Sequence, residues 1–289
     1  MVRILENHAI LLVHGSDCKG IVALFSQKLF YHGCGIVSSE QHIDAESNVF
    51  YQRIVFNVKE LHTDQKSLEY DIKEVADHLN MTYEIRWPKT KRIAIFVSKY
   101  GHCLWELLIR HAAGELQGVE IVQIISNHED LRFIADNFSV PYSVFKITKE
   151  TKREIENKEI ALLQEKQVDL IVLARYMQII TDEFCTIYPN RVINIHHSFL
   201  PAFIGSKPYH KAHARGVKFI GATAHYVTTD LDEGPIIEQN CVRISHKDSI
   251  EDLLRKGRVL EKNILITAVC AHIEGRIIVH DNKCVIFEE

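Results

Sequence analysis

The hydrophobic period of this chain changes once, at "PKTKR" (Pro88 to Arg92), and that break constrains the fold more than any other feature. Ahead of it, short strand-like runs pair off around two helical segments. Beyond it, strand and helix patterns alternate strictly. A proline followed by polar residues that satisfies neither period marks a linker, so the pattern predicts two domains, residues 1–87 and 92–289.

In the first part "HAILLVHG" (His8 to Gly15) is strand-like, and "KGIVALFSQKLFYHG" sets Ile21, Val22, Phe25 and Leu29 at helical spacing before a glycine stop. The runs "GIVSSEQHID" and "NVFYQRIVFNV" follow, separated by turn-prone residues. Leu68, Ile72, Val75 and Leu79 then share one helix face, and "MTYEIRW" closes with alternation. The order β-α-β-β-α-β predicts a ferredoxin-like split βαβ plan, with two helices on one face of a four-stranded antiparallel sheet.

After Arg92 the runs "RIAIFVS", "VEIVQIIS", "PYSVFKI", "VDLIVLARY" and "RVINIHH" alternate with helical segments, one of them a long charged helix from about Lys149 to Gln167. Such alternation predicts an α/β domain with an open, mainly parallel, doubly wound sheet. "IGATAHYVT" and "PIIEQNCVRI" add strands, residues 249–275 a long helix, and "RIIVHDNKCVIF" a hairpin turning at Asp281-Asn282.

Composition excludes several classes. A chain of 289 residues, 46% hydrophobic and 25% charged, has the make-up of a soluble globular protein able to bury its own core. A net charge of −4 with the signs interspersed gives no general pull toward nucleic acid. Seven scattered cysteines without a C-x-x-C pair suggest neither a disulfide framework nor a zinc ribbon, and point to a reducing cytoplasmic compartment. The N-terminal apolar run is too short for a signal peptide or a membrane span.

Two polar clusters interrupt this apolar pattern. Val192 to Ile195 form a short buried-looking strand, yet Asn194, His196 and His197 lie in and just beyond it. In open α/β sheets ligands collect where strands end at their carboxyl edge. The second cluster, "HYVTTDLDEGPII", places Asp230, Asp232 and Glu233 between two strands. Should both loops open on the same edge, a carboxylate meets His196 across the crevice, orienting the imidazole and raising its basicity while Asn194 donates to an oxyanion. Equally, each cluster could be a hydrogen-bonded loop or a solvated turn.

Other chemistries have less support. The chain has no G-x-G-x-x-G, no Walker A stretch, no H-E-x-x-H and no G-x-S-x-G. His196 and His197 are adjacent, a poor chelating geometry on a strand, so no metal is expected. "SKPYHKAHARGVK" (Ser206 to Lys218) is either a solvated basic helix begun at Ser206-x-Pro208 or a landing place for carboxylates.

"INIHHSFLPAF" followed by "HYVTTDLDEGPII", with Asp232 thirty-six residues after His196, resembles the formyltetrahydrofolate-dependent transferases, and within them most closely the formyltetrahydrofolate deformylases. The resemblance covers essentially the whole chain. It implies Asn194, His196 and Asp232 as catalytic residues, and a folate pocket at Met177, Gln178, Ile179, Ile180, Val227, Thr228 and Asp230. It also implies hydrolysis of 10-formyltetrahydrofolate to tetrahydrofolate and formate without a cofactor, serving purine biosynthesis and the one-carbon pool. The related glycinamide ribonucleotide transformylases carry a Gly/Ser-rich phosphate loop after their first strand, where this chain has the bulkier "VSKYGHCLWELL".

The same resemblance implies an N-terminal ACT domain and a homo-oligomer. An amino-acid effector would bind at Asp17, Lys19, Gly20 and Gly35, the last standing where relatives often have Asn. Two rival functions stay open at this point. One is an amine-dependent formyltransferase using the same trio, and the other a non-catalytic amino-acid sensor.

Overall fold

In the computed structural model of the chain, residues 7–202 and 208–288 are described. The chain divides into two compact units. The first comprises Met1–Lys89 with Glu274–His280 and Val285–Glu289, and the second Thr90–Ile273 with Asp281–Cys284.

The first unit contains β1 (His8–Ser16), α1 (Ile21–Tyr31), β2 (Gly35–Asp44), β3 (Val49–Asn57), α2 (Gln65–Leu79) and β4 (Thr82–Arg86). The strands pair antiparallel in the order β2-β3-β1-β4, the split βαβ plan. Local chemistry sets the helix ends. Gly20, at φ 99°, caps α1; the Asp64 side chain accepts the Ser67 N–H at 2.8 Å at the start of α2, and Asn80 closes that helix in the left-handed region. Ala9, Leu11 and Val13 pack with the helix residues Phe25, Leu29, Leu68 and Ile72 in one core.

Ile10 and Leu12 point to the sheet's other face, which is covered as well. There Ile278, Val285 and Phe287 pack against Ile10, Leu12, Val49, Tyr51 and Val55, and the Arg53 guanidinium donates to the carbonyls of Glu274 and Gly275. Burying Ile278 and Phe287 stabilises this arrangement by about 1.5–3 kcal/mol each. Residues 92–289 are therefore not one continuous compact unit, because the apolar residues after the last helix have their core on the N-terminal sheet.

The second unit runs β5 (Lys91–Val97), α3 (His102–Ala112), β6 (Val119–Ser126), α4 (Arg132–Asn137), β7 (Tyr142–Val144), α5 (Lys152–Glu165), β8 (Leu170–Leu173), α6 (Asp182–Ile187), β9 (Val192–His196), α7 (Pro208–Arg215), β10 (Phe219–Tyr226), β11 (Ile236–Arg243) and α8 (Ile250–Ile273). A short hairpin, β12 (Ile277–His280) and β13 (Lys283–Ile286), ends the chain and turns at Asp281-Asn282. The seven-stranded sheet has the order β11-β10-β9-β8-β5-β6-β7. Strands β5 to β9 are parallel, and β10 runs against β9 and β11. The chain leaves β5 toward β6 and β7, then crosses back to β8 on the other side of β5. The loops after β5 and β8 thus diverge from a topological switch point. Among the described residues no helix is long and apolar enough to cross a membrane.

Candidate active site

Val192, Ile193 and Ile195 are buried and hold β9 between β8 and β10. Strand alternation then puts the side chains of Asn194 and His196 on one face. On the neighbouring β10, His225 stands opposite Asn194 and Thr223 opposite His196. The Thr223 hydroxyl donates to the Ser198 carbonyl at 2.9 Å and accepts from the Leu200 N–H at 3.1 Å, which anchors the loop leaving β9.

The condition posed from the sequence, that both loops open on one edge, is not met, yet the loop carrying Asp232 still brings its carboxylate to His196. Because β10 is antiparallel, that loop leaves the sheet at the level where β9 begins, and the Val227 N–H donates to the Val192 carbonyl at 2.9 Å. It then doubles back over the sheet face. Gly234 is essential to this crossing, since a Cβ there would lie 1.9 Å from the Tyr226 carbonyl oxygen. Asp232, in the left-handed region at φ 59°, ends 3.3 Å from His196 Nδ1 and 3.7 Å from His225 Nε2.

Burial alone would raise the Asp232 carboxyl, but hydrogen bonding and charge from His196 and His225 outweigh it and hold the group well below the usual carboxylate range. His196 is 6% exposed. Its Nδ1 faces Asp232, whereas Nε2 is buried without a hydrogen-bond partner among the described residues. A buried imidazole nitrogen left open beside a paired carboxylate is placed to exchange a proton with a bound molecule.

His225 was not singled out by the sequence, because one histidine inside an apolar strand carries no motif. It is 2% exposed, and its Nδ1–H donates to the Tyr226 carbonyl at 2.9 Å. Its Nε2 lies 3.2 Å from the Asn194 amide nitrogen and 3.7 Å from Asp232, between the two. The Asn194 side chain is positioned by this contact with His225. The neighbouring His197 is pushed down to about 4, chiefly by burial and then by the charges of Arg175 and His196.

The expected folate residues occupy the two loops beside this centre. Met177 and Ile179 are exposed, whereas Ile180 is buried in the core against which Val227 packs. Thr228 hydroxyl donates to the Asp230 carbonyl, and the Cys185 thiol to the Thr228 carbonyl. Beneath the first loop, Glu156 accepts from both the backbone and the hydroxyl of Thr181, and Tyr176 donates to Glu159 at 3.3 Å.

The four expected effector residues do not meet within one chain. Asp17, Lys19 and Gly20 follow the end of β1, near Asn48, whereas Gly35 pairs with Asn57 at the level of His8. A strand's length, on the order of 25–30 Å, separates them. In the basic stretch, Pro208 is the first residue of α7, with His210, Lys211, His213 and Arg215 following; Ser206 and Lys207 lie outside the described residues.

A second polar cluster sits at the switch point. Glu261 accepts from His102 Nε2 and from the Tyr209 hydroxyl, each at 2.7 Å, and lies 3.4 Å from Arg175 Nε. His102, Cys103 and Glu261 bring their ligand atoms within 4.8 Å of one another. The Arg175 cation on the same carboxylate oxygen, and burial that raises the Cys103 thiol well above its ordinary value, make this an ion-pair knot and a poor cation site. On the other side of His197 a mainly apolar cavity of about 330 Å³ is lined by Phe199, Tyr209, Phe219 and Ile220, away from Asp232.

Residues 91–269 match the Formyl transferase family. Over 98% of its length the chain is 47% identical to the formyltetrahydrofolate deformylase of Bacillus subtilis, spanning 94% of that protein, and it is 48% identical to that of Synechocystis over 96% of this chain and 98% of the relative. The chain belongs to the formyltetrahydrofolate deformylase family. The crystal structure of a formyltetrahydrofolate deformylase from Pseudomonas syringae superimposes with a TM-score of 0.94 at 41% identity, covering 99% of this chain and 96% of that one. The deformylase likeness thus takes in the N-terminal unit, which lies outside the Formyl transferase match.

Proposed function

We propose that this chain hydrolyses 10-formyltetrahydrofolate to tetrahydrofolate and formate, with Asn194, His196 and Asp232 as its catalytic residues. The observation that carries the reading is the buried His196, paired through Nδ1 with Asp232 and open at Nε2. Water attacks the formyl carbon and its C–O bond forms as the carbonyl electron pair moves onto oxygen. The Asn194 amide donates to that oxyanion. Asp232 and His196 take the proton from water, and one proton passes to the folate nitrogen as the C–N bond breaks. The products are the amine of tetrahydrofolate, formate and one released proton, so the step consumes one water and needs no cofactor. Met177, Gln178, Ile179 and Ile180 with Val227, Thr228 and Asp230 form the folate pocket, the exposed Met177 and Ile179 offering apolar surface to the pterin.

The N-terminal unit is read as an ACT domain serving regulation and oligomerisation. Its strand order and two-helix cover support this. With Gly35 a strand's length from Asp17, Lys19 and Gly20, an amino-acid effector touching all four needs two copies of the unit, which favours a homo-oligomer. Seven scattered cysteines without a C-x-x-C pair fit a cytoplasmic enzyme. Formate supply to purine biosynthesis is the role such a hydrolase would fill.

Formate release from 10-formyltetrahydrofolate, followed with and without glycinamide ribonucleotide, tests the assignment. Turnover without the amine is expected; turnover only with it makes the chain a transferase.

A further inference from the structure

One central strand ends beside a buried cationic donor, Arg175, that the reaction above does not use. Arg175 follows β8 by two residues, and its φ of 63° takes it out of strand alternation. Its guanidinium goes to Glu261 on α8, while Tyr176, the next residue, goes to Glu159 on α5. Arg175 is 9% exposed, and among the described residues neither Nε nor Nη1 has a hydrogen-bond partner. Glu261 accepts from His102 and Tyr209 and meets Arg175 through the ion pair at Nε, 3.4 Å away, which leaves Nη1 unmet. A buried guanidinium with open N–H groups is costly unless a ligand completes it.

The surroundings favour an anion. Tyr100 stacks under Arg175 at 5.5 Å and under Arg258 at 5.9 Å, which places two cations against one ring. The residue after Tyr100 caps α3, an eleven-residue helix whose first turn has no side-chain cap. The loops after β5 and β8 diverge here, where α/β sheets hold their ligands. The adjoining strand, about 4.8 Å away, is β9 with Asn194 and His196.

We propose that Arg175, Tyr100 and the start of α3 form a receptor for a small carboxylate, and that its occupant is the formate released at His196. This rests on the hydrolase reading. Formate is the one small anion that reaction produces, and it arises one strand away. A guanidinium this deeply buried admits only a small ligand. Holding formate at Arg175 moves the product off the His196 centre.

The test uses the full-length protein and [13C]formate, with acetate and inorganic phosphate in parallel. Protein added to labelled formate should broaden its carbon resonance, and Arg175→Met should abolish most of that broadening. The same variant should weaken product inhibition by formate at least tenfold while the KM for folate stays within about threefold. Should Arg175→Met fail to fold, Tyr100→Leu, at a half-exposed position, should give the same direction with a smaller change. No broadening with the wild-type protein, or equal broadening in the variants, overturns the proposal. Phosphate binding as strong as formate overturns the carboxylate assignment. Failure of the hydrolase reading looks different, as wild-type protein that releases no formate from its folate substrate whatever it binds.

Discussion

Asp232 reaches to 3.3 Å from His196 Nδ1 although the loop that carries it leaves the sheet at the opposite end of the His196 strand. The pair depends on one folded-back loop. Its carboxylate is held ionised by the two imidazoles it faces.

Asp232→Asn should lower kcat by about 10²–10⁴ while leaving KM nearly unchanged, because it removes proton handling rather than binding. It should also alter acid stability. A carboxyl depressed in the folded state contributes stability above its unfolded value, and that contribution is lost as the pH falls below it. Wild-type stability should therefore drop between about pH 4 and more acidic values, and the variant's curve should be flatter there by chemical denaturation.

Asn194→Ala removes the oxyanion donor and should cost about a hundredfold or more in kcat. His225→Gln tests orientation. His225 touches Asn194 and faces Asp232 rather than substrate, so a loss of about tenfold in kcat at constant KM is expected, and the losses in the double variant with Asn194→Ala should be less than additive. Additive losses would separate the two residues.

Gly234→Ala forces a methyl group onto the Tyr226 carbonyl. The Asp232 loop must shift, so activity should fall by more than tenfold even in preparations that retain normal circular dichroism.

Glu159, beneath the loop of Met177 to Ile180, is raised to about 7 by burial and by the neighbouring Glu156. The native state keeps this proton while the unfolded state releases it at the ordinary value, so stability declines as pH rises from about 4.5 to 7 and levels off above. Glu159→Gln lifts that penalty, at most about 3 kcal/mol. Its melting temperature should exceed that of the wild type at pH 8 and match it near pH 4.5.

The sequence made both sheets legible because the strands and helices keep their periods on either side of Pro88. It also hinted at something the two-domain reading passed over. The run Ala9 to Val13 does not alternate with polar residues, which is the mark of a strand covered on both faces, and its second cover comes from Ile278, Val285 and Phe287 at the far end of the chain. Asn194 and His196 stood out because polar groups leave an apolar strand there. His225 did not, since a histidine within a strand reveals its partner only once register is known. Nor could spacing reveal that Asp232 arrives over the face, because that depends on β10 running against β9. Arg175 was hidden for a related reason, its backbone turning left-handed where the pattern reads as continuing strand.

The most direct test of the central claim is hydrolysis of 10-formyltetrahydrofolate in 18O-labelled water, with the formate analysed by mass spectrometry. Attack by water beside His196 and Asp232 predicts formate carrying one heavy oxygen, formed with no amine present. Formate without label, or no formate until an amine acceptor is added, would contradict the account.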